Sequence, residues 1–343
     1  MIVSSHTTLK SIAKIIGCSD TTVSRVLNGK ASQYRISQKK AREILQVAEE
    51  LNFTPNRLAR SLRTRQTQTL GLVIPDISNP FFASIARHVE RESRKLGYSV
   101  IVADTEEETD LEIKAVNLLK SRNVDGMIIS PVGQSVAHLE KHYQAGMPIV
   151  VIDRYFPDSP LPFVASDNYN GSKQAVAYFI QNGHRKIACI QGLPYTSPNT
   201  DRVRGYRDAL TDAGIAVEER LIVGNSFGEE NGYLETKLLL QQNPRPTAIF
   251  ALSNLISLGA LRAVAEESLN IPHDISIIAF DDQPYHDYLA TPMTTVAQPN
   301  SEMGQMAMKL LHNQMQNLDK DQAAGIMLPT KLIIRQSVKN IAF

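Results

Sequence analysis

The chain has 343 residues, 43% of them hydrophobic and 21% charged, with no Trp and a formal net charge of +1. That length exceeds what one hydrophobic core usually spans, so two or three domains are expected. No apolar run approaches a membrane span, and the start MIVSSHTTLK lacks the basic opening and apolar core of a signal peptide. Cys18 and Cys189 stand far apart and make no disulfide framework. These features lead to the expectation of a soluble, cytoplasmic protein.

The near-neutral total hides an asymmetry. Residues 1–66 hold twelve Lys and Arg against four Asp and Glu, a formal +8, and the rest of the chain carries −7. A small basic module on an acidic body suits contact with a polyanion, although a merely solvated basic face has the same composition. In TTLKSIAKIIG, Leu9, Ile12, Ala13, Ile15 and Ile16 recur at helical spacing. Thr7 or Thr8 can cap that helix, and Gly17 permits the turn that ends it. Ser19 can cap a second helix, SDTTVSRVLN, in which Val23, Val26 and Leu27 share a face. A third helix from Ser37 has Ala41, Ile44, Leu45, Ala48 and Leu51 on its apolar side. Two helices joined by a short glycine turn read as a helix-turn-helix, whose second helix meets bases in the major groove. The short polar side chains of that helix suit close approach to DNA, and Arg25 can pair with guanine through two hydrogen bonds. A three-helix interaction module without DNA fits the same spacing. Beyond it, Pro55 can open a helix in which Leu58 and Leu62 share a face. Alone, so short a helix is marginal in water, and its spacing first suggests a capping helix on the next domain.

From Leu70 the pattern alternates strand and helix. Strand-like runs LGLVI, YSVIVA, GMIIS and PIVVID alternate with helical stretches around 80–96, 110–121 and 135–145. A second series, KIACIQG, RLIVGN, AIFAL and ISIIAF, alternates with helices near 170–182, 201–213, 229–242 and 255–267. Continuous apolar strands between helices argue for buried parallel sheets, and two series argue for two Rossmann-like subdomains. A helix around 301–316 and a strand KLIIRQS complete the chain.

Ligands bind beyond the carboxyl ends of strands in open α/β sheets, so residues following strands are the candidates. Asn79 suits a hydroxyl, and Phe81 or Phe82 suits the apolar face of a sugar, one of the two being expected in the core. Asp153 and Arg154 follow the fourth strand, Arg202 is expected to open a helix, Asp281 ends IIAF, and Gln298 lies in TTVAQP. The two aspartates also suit helix caps or interdomain ion pairs. Arg154 suits a phosphate or pairing with Asp153, and Asp282 suits a structural role. No phosphate loop, nucleophile elbow or paired-Cys zinc pattern occurs. His138 and His142 are four apart, a weak metal signal that a solvent-facing helix also satisfies. Neither a cofactor nor a metal is expected.

TLKSIAKIIGCSDTTVSRVLNG, LNFTPNRLARSLRT and GLVIPDISNPFF, followed in order by VDGMIIS, PIVVIDR, DRVRGY, ISIIAFDD and TTVAQP, resemble the LacI/GalR family of bacterial repressors over nearly the whole chain. The loop NGKASQYRIS is longer than in the lactose repressor and is similar to the fructose-repressor branch; it adds Lys30 and Arg35, which suit phosphates, though Lys30 equally suits a solvent loop. The resemblance implies an all-α helix-turn-helix headpiece over 1–55, a hinge helix and linker over 56–66, and a periplasmic-binding-protein-like α/β core over 67–343. In the core, one Rossmann-like subdomain would cover about 67–166 plus 299–327, and the other about 167–298 plus 328–343. It also implies a homodimer on near-palindromic double-stranded operator DNA, with hinge helices in the minor groove and Leu62 as a wedge beside the small Ala59. Asp20, Thr21 and Arg25 are then the base readers. Ser19, Thr22 and Ser24 hold phosphates or cap the helix, and Thr8, Asn28, Asn56 and Arg63 complete the DNA-facing set. Asp153, Arg202, Asp281 and Gln298 occupy effector-contacting positions. Ser253 and Asn254 stand where many relatives have Asn-Asp, which alters the pocket's hydrogen bonding. The expected function is a transcriptional regulator, chiefly a repressor, controlled by a sugar or sugar phosphate. A sugar-binding module without transcription and a sugar-converting enzyme are the alternatives.

Overall fold

The computed structural model describes residues 8–51, 53, 66–317 and 325–342. The chain divides into two compact units, Met1–Thr67 and Gln68–Phe343.

The first unit is three helices, α1 (Leu9–Ile16), α2 (Asp20–Leu27) and α3 (Gln38–Glu50). Thr8 caps α1 through a reciprocal box with Ser11, and Gly17 ends it at φ 69°, the left-handed region that glycine adopts without strain. Ser19 and Ser37 cap the other two helices. Ile12, Ile16, Val23, Val26, Ile44 and Ala48 form the shared core. Lys40 Nζ donates to the Ile16 carbonyl at 2.8 Å, which ties α3 to the open end of α1. The apolar spacing overreached at three positions. Ile15, Leu45 and Leu51 are exposed rather than buried, because three short helices have room for only a few side chains each.

The second unit is two lobes, each a six-stranded sheet covered by helices. In the first lobe the strands are β1 (Thr69–Ile74), β2 (Ser99–Asp104), β3 (Gly126–Ile129), β4 (Ile149–Ile152), β5 (Phe163–Ser166) and β11 (Gly325–Leu328), in the order β11-β5-β4-β3-β1-β2, with every pairing parallel. Its helices are α4 (Pro80–Lys95), α5 (Thr109–Ser121), α6 (Ala137–Gln144) and α11 (Asn300–Met315). Successive strand residues face opposite ways. Leu70, Leu72, Ile74, Ile128, Val150 and Ile152 therefore pack against α4 and α11, while Val73, Met127, Ile129, Ile149 and Val151 pack against α5 and α6. In β1, β3 and β4 both faces are buried, which is why these strands are almost wholly apolar, while the edge strands β2 and β11 are partly exposed.

The second lobe has β6 (Ile187–Ile190), β7 (Ile222–Val223), β8 (Ala248–Ala251), β9 (Ser276–Phe280), β10 (Thr294–Ala297) and β12 (Lys331–Ile333), in the order β12-β10-β9-β8-β6-β7. Helices α7 (Asn168–Gln181) and α8 (Ser197–Asp212) cover one face, and α9 (Glu229–Leu240) and α10 (Asn254–Glu266) the other. The edge strand β12 is antiparallel to β10, unlike the remaining pairs. The chain passes between lobes after β5, after β10 and after β11. Strands β5, β10 and β11 are not among the strand-like runs of the sequence reading: FVAS and TTVA mix Ser or Thr with apolar residues, and GIML is held by a strand far earlier in the chain.

Candidate functional site

Two surfaces carry the candidate residues. On the first unit, the exposed start of α2 presents Asp20 and Thr21. Asp20 Oδ1 accepts from the Thr21 amide at 2.8 Å, a carboxylate placed at the positive end of the helix dipole. Ser19 and Thr22 bond each other through their hydroxyls at 2.8 Å, and Asn28 Nδ2 donates back to the Ser24 carbonyl at 2.6 Å. Thr21 and Arg25 are four residues apart and share a face. The Arg25 guanidinium stacks on the Tyr34 ring, 3.8 Å from its centroid. The sequence reading gave Tyr34 no role. It lies in the loop that starts with the Lys30 amide donating to the Arg25 carbonyl and ends with Ile36 packed on the core. Lys30 and Arg35 are exposed on the same loop, and Arg35 takes a left-handed φ of 54°. Asn56, Ala59, Leu62 and Arg63 lie outside the described residues.

In the second unit a cavity of about 220 Å³ opens between the lobes. Asn79, Phe81, Phe82, Asp153, Arg154, Arg202, Ser253, Asp281 and Gln298 line it, and Asn254 adjoins it through Asn79. Phe81 and Phe82 belong to the core and to the cavity wall at once; their rings meet edge-on with centroids 5.0 Å apart. Asn79 caps α4 by accepting from the Phe81 amide at 3.0 Å, and it accepts from Asn254 Nδ2 of the other lobe at 3.1 Å. Ser253 caps α10 and donates to the Phe227 carbonyl.

Asp153 and Asp281 follow the ends of β4 and β9, one in each lobe. Both are buried and both are left-handed, at φ 68° and 72°. Burial pushes the Asp153 carboxyl up to about 6 against the pull of Arg154 and Arg202. Asp281 accepts from Gln298 Nε2 at 2.5 Å and from the Asn254 amide at 3.3 Å, so it combines a cavity position with a helix-capping bond. Arg202 sits in the second turn of α8, not at its start, because the helix begins at Ser197. Its Nε donates to Asn168 Oδ1 and its Nη1 to the Leu252 carbonyl, and its guanidinium covers the Phe280 ring at 3.7 Å. Burial lowers its proton affinity, and Asp281 and Asp153 oppose that.

Arg154 has the ion pair with Asp153 that the sequence suggested, and a stronger partner that it did not. Its Nη1 and Nη2 donate to the two carboxylate oxygens of Glu107 at 2.7 and 2.5 Å, while its Nε lies 3.9 Å from Asp153. The main partner is thus a residue 47 positions away in sequence. Asp282 is tied to Arg335 and Thr295 outside the cavity wall. His138 and His142 do not converge: His138 Nε2 meets the buried Glu112 at 2.6 Å, and His142 Nδ1 meets Lys120. Among the described residues no cluster could hold a metal ion.

The sequence reading missed Glu107 and Phe227 in the cavity wall, along with Asp76, Leu193, Pro198, Ser226, Gly228 and Leu255. Glu107 and Phe227 follow β2 and β7, so the rule that named Asp153 and Asp281 also reaches them. Phe227 lies over Gly192, where any side chain would occupy the place of its ring.

Comparison with known proteins agrees with both units. Residues 8–56 match the model for bacterial regulatory proteins of the lacI family. Residues 67–336 match periplasmic binding proteins and the sugar binding domain of the LacI family. The chain is 35% identical over 335 residues to the HTH-type transcriptional regulator DegA of Bacillus subtilis (strain 168), covering 96% of this chain and 98% of that protein. The lac repressor dimer, solved with operator and the anti-inducer ONPF, shares the fold with a TM-score of 0.85 over 97% of this chain and 99% of that one, at 24% identity. A LacI family regulator from Enterococcus faecium, solved with bound ribose, is 29% identical with a TM-score of 0.72 over 80% of this chain and 99% of that one. The basic three-helix unit, the bilobed core and these matches together place the chain in the LacI family of bacterial transcriptional regulators, which are not enzymes.

Proposed function

We propose that this protein is a cytoplasmic repressor that binds a near-palindromic operator as a homodimer and responds to a monosaccharide held between its lobes. The cavity carries the proposal. At about 220 Å³ it is smaller than the roughly 300–1,000 Å³ common for drug-sized ligands. Phe81, Phe82 and Phe227 offer apolar faces, and Asp153 and Asp281 offer acceptors from opposite lobes. A sugar ring presents both surfaces: C–H groups for the aromatics and hydroxyl donors for the carboxylates. The ribose-bound relative is consistent with a ligand of that size.

On the first unit, Asp20, Thr21 and Arg25 are the proposed base readers, and Thr8, Ser19, Thr22, Ser24, Asn28, Lys30 and Arg35 the phosphate-facing or supporting set. Asn56, Ala59, Leu62 and Arg63 of the hinge segment complete the proposed contacts. A sugar that binds differently to the DNA-bound and free forms changes operator affinity, and operator changes sugar affinity by the same factor.

A thermal-shift screen of sugars, followed by operator titration with each hit, tests this reading. Hits should alter operator affinity, and the logarithm of that affinity should fall linearly with that of salt, with a slope of about −0.9 per phosphate contacted. Sugars that stabilise the protein without changing operator affinity would reduce it to a binding module. A salt-independent operator affinity would remove the DNA reading.

A further inference from the structure

We propose that Glu107 decides the charge of the ligand: by occupying Arg154 it makes the cavity a site for an uncharged sugar and excludes the phosphorylated form. The inference rests on the sugar reading above and sharpens it.

The Arg154 side chain is 4% exposed and lines the cavity together with Arg202, and its fork has the shape to hold an anion. Both terminal amines are spent on Glu107, and Nη1 also reaches the Pro131 carbonyl at 3.3 Å. A phosphoryl group would have to displace a carboxylate that already makes the bidentate pair. The Glu107 side chain is 32% exposed and the guanidinium it holds is 4% exposed, so a phosphoryl group would only exchange one charge-assisted bidentate pair on the buried guanidinium for another.

The Glu107 carboxylate is also fixed by its backbone. Glu106 and Glu107 are consecutive non-glycine residues in the left-handed region, at φ 49° and 59°. That region is unfavourable for residues with a Cβ, and such strain collects where a side chain must be aimed. The surrounding loop holds the pair in place. The Thr105 amide donates to the Ile74 carbonyl, the Glu106 amide to Asp104 Oδ1 at 3.1 Å, and the Glu107 amide to the Pro75 carbonyl at 3.2 Å. Glu107 therefore approaches Arg154 from a braced turn at the strand ends.

The charge balance agrees. Asp76, Glu107, Asp153 and Asp281 line the cavity with Arg154 and Arg202, four carboxylates to two guanidiniums. An uncharged sugar donates hydroxyls to carboxylates. A phosphate meets an excess of negative charge in a low-dielectric space.

The test uses full-length protein, wild type and Glu107→Gln, titrated calorimetrically with D-ribose, D-ribose 5-phosphate and inorganic phosphate. Inorganic phosphate makes the anion readout independent of sugar identity. The expected result is that Glu107→Gln binds phosphate at least tenfold more tightly than wild type. Glu107→Gln combined with Arg154→Gln should lose the gain, which separates the cavity from anion binding by the basic first unit. Equal phosphate affinity in wild type and Glu107→Gln overturns the proposal, and so does a gain that survives loss of Arg154. If Glu107→Gln fails to fold, Glu107→Asn repeats the test, since Asn accepts left-handed backbone. If no unphosphorylated sugar in the wider screen binds wild type while Glu107→Gln still gains phosphate, the sugar reading fails and the role of Glu107 stands.

Discussion

Asp153→Asn should stabilise the protein while weakening its response to sugar. The side chain is 6% exposed, and burial raises its carboxyl from an ordinary 3.8 to about 6. At about 1.4 kcal/mol per tenfold change in proton affinity, that rise corresponds to about 3 kcal/mol of unfavourable charge burial. The sign follows from proton counting. Between pH 3.8 and about 6 the folded protein keeps a proton that the unfolded chain releases, so this carboxyl makes stability fall as pH rises through that window. Asn carries no charge and suits the left-handed φ of 68°, so the substitution removes the cost without straining the turn. Urea unfolding of both proteins at pH 4, 5, 6 and 7.5 isolates the effect, because every other carboxylate titrates in both. The expected difference is near zero at pH 4 and grows to about 3 kcal/mol in favour of the variant at pH 7.5. A pH-independent difference, or a less stable variant at pH 7.5, would refute the reasoning. Sugar affinity should drop about tenfold in the same variant, as a hydrogen bond to a charged acceptor is replaced by one to a neutral acceptor. Wild-type sugar binding should itself weaken as pH falls through about 6.

Thr8→Ala removes the capping box of α1 and should cost about 1 kcal/mol; hydrogen exchange over residues 9–16 should quicken about fivefold, and unchanged exchange would deny the cap its weight. Lys30→Ala should weaken all operator variants alike and reduce the salt slope by about 0.9, whereas Thr21→Ala should change the preferred base. Equal loss on every sequence for Thr21→Ala would contradict a reading role. Tyr34→Ala should release the Arg25 guanidinium from its ring and relax discrimination at one base pair with the salt slope unchanged. Tyr34→Phe should retain that discrimination, because the face of the ring and not the hydroxyl supports the stack.

The first unit was readable because its information is local. Caps, a glycine turn and three-four spacing lie within a few residues of one another, and Thr8, Gly17 and Ser19 do what those signals indicate. Spacing does not say how much of a face is covered, which is why Ile15 and Leu45 were assigned to a core too small to hold them. In the lobes, continuous apolar strands reveal buried sheets, but FVAS and TTVA mix Ser or Thr with apolar residues, and GIML owes its pairing to a distant partner. The strand-end rule found Asp153 and Asp281. It did not single out Glu107, one acid in DTEEETD, because what distinguishes that residue is a left-handed backbone and a partner 47 residues later. Phe227 follows a strand of two residues and needs Gly192 beneath it, a requirement visible only in three dimensions.

The cavity is arranged so that one ligand reports on both lobes. Asp153 and Asp281 occupy equivalent strand ends with nearly the same left-handed backbone, and each projects from a different sheet. The lobes are also bridged by their own side chains: Asn254 donates to Asn79, the Tyr155 amide to Ser197 Oγ, and the Tyr155 hydroxyl to Asp201 at 2.8 Å. Bonds of this kind contribute about 1 kcal/mol each, somewhat more with a charged acceptor. The bridged arrangement therefore carries a few kcal/mol of its own, and a sugar need not supply the whole preference. A ligand shifts the balance only by the bonds it makes to both lobes at once. For a small ring those are the carboxylates of Asp153 and Asp281, and truncating either should uncouple binding from closure while leaving contacts to the other lobe in place.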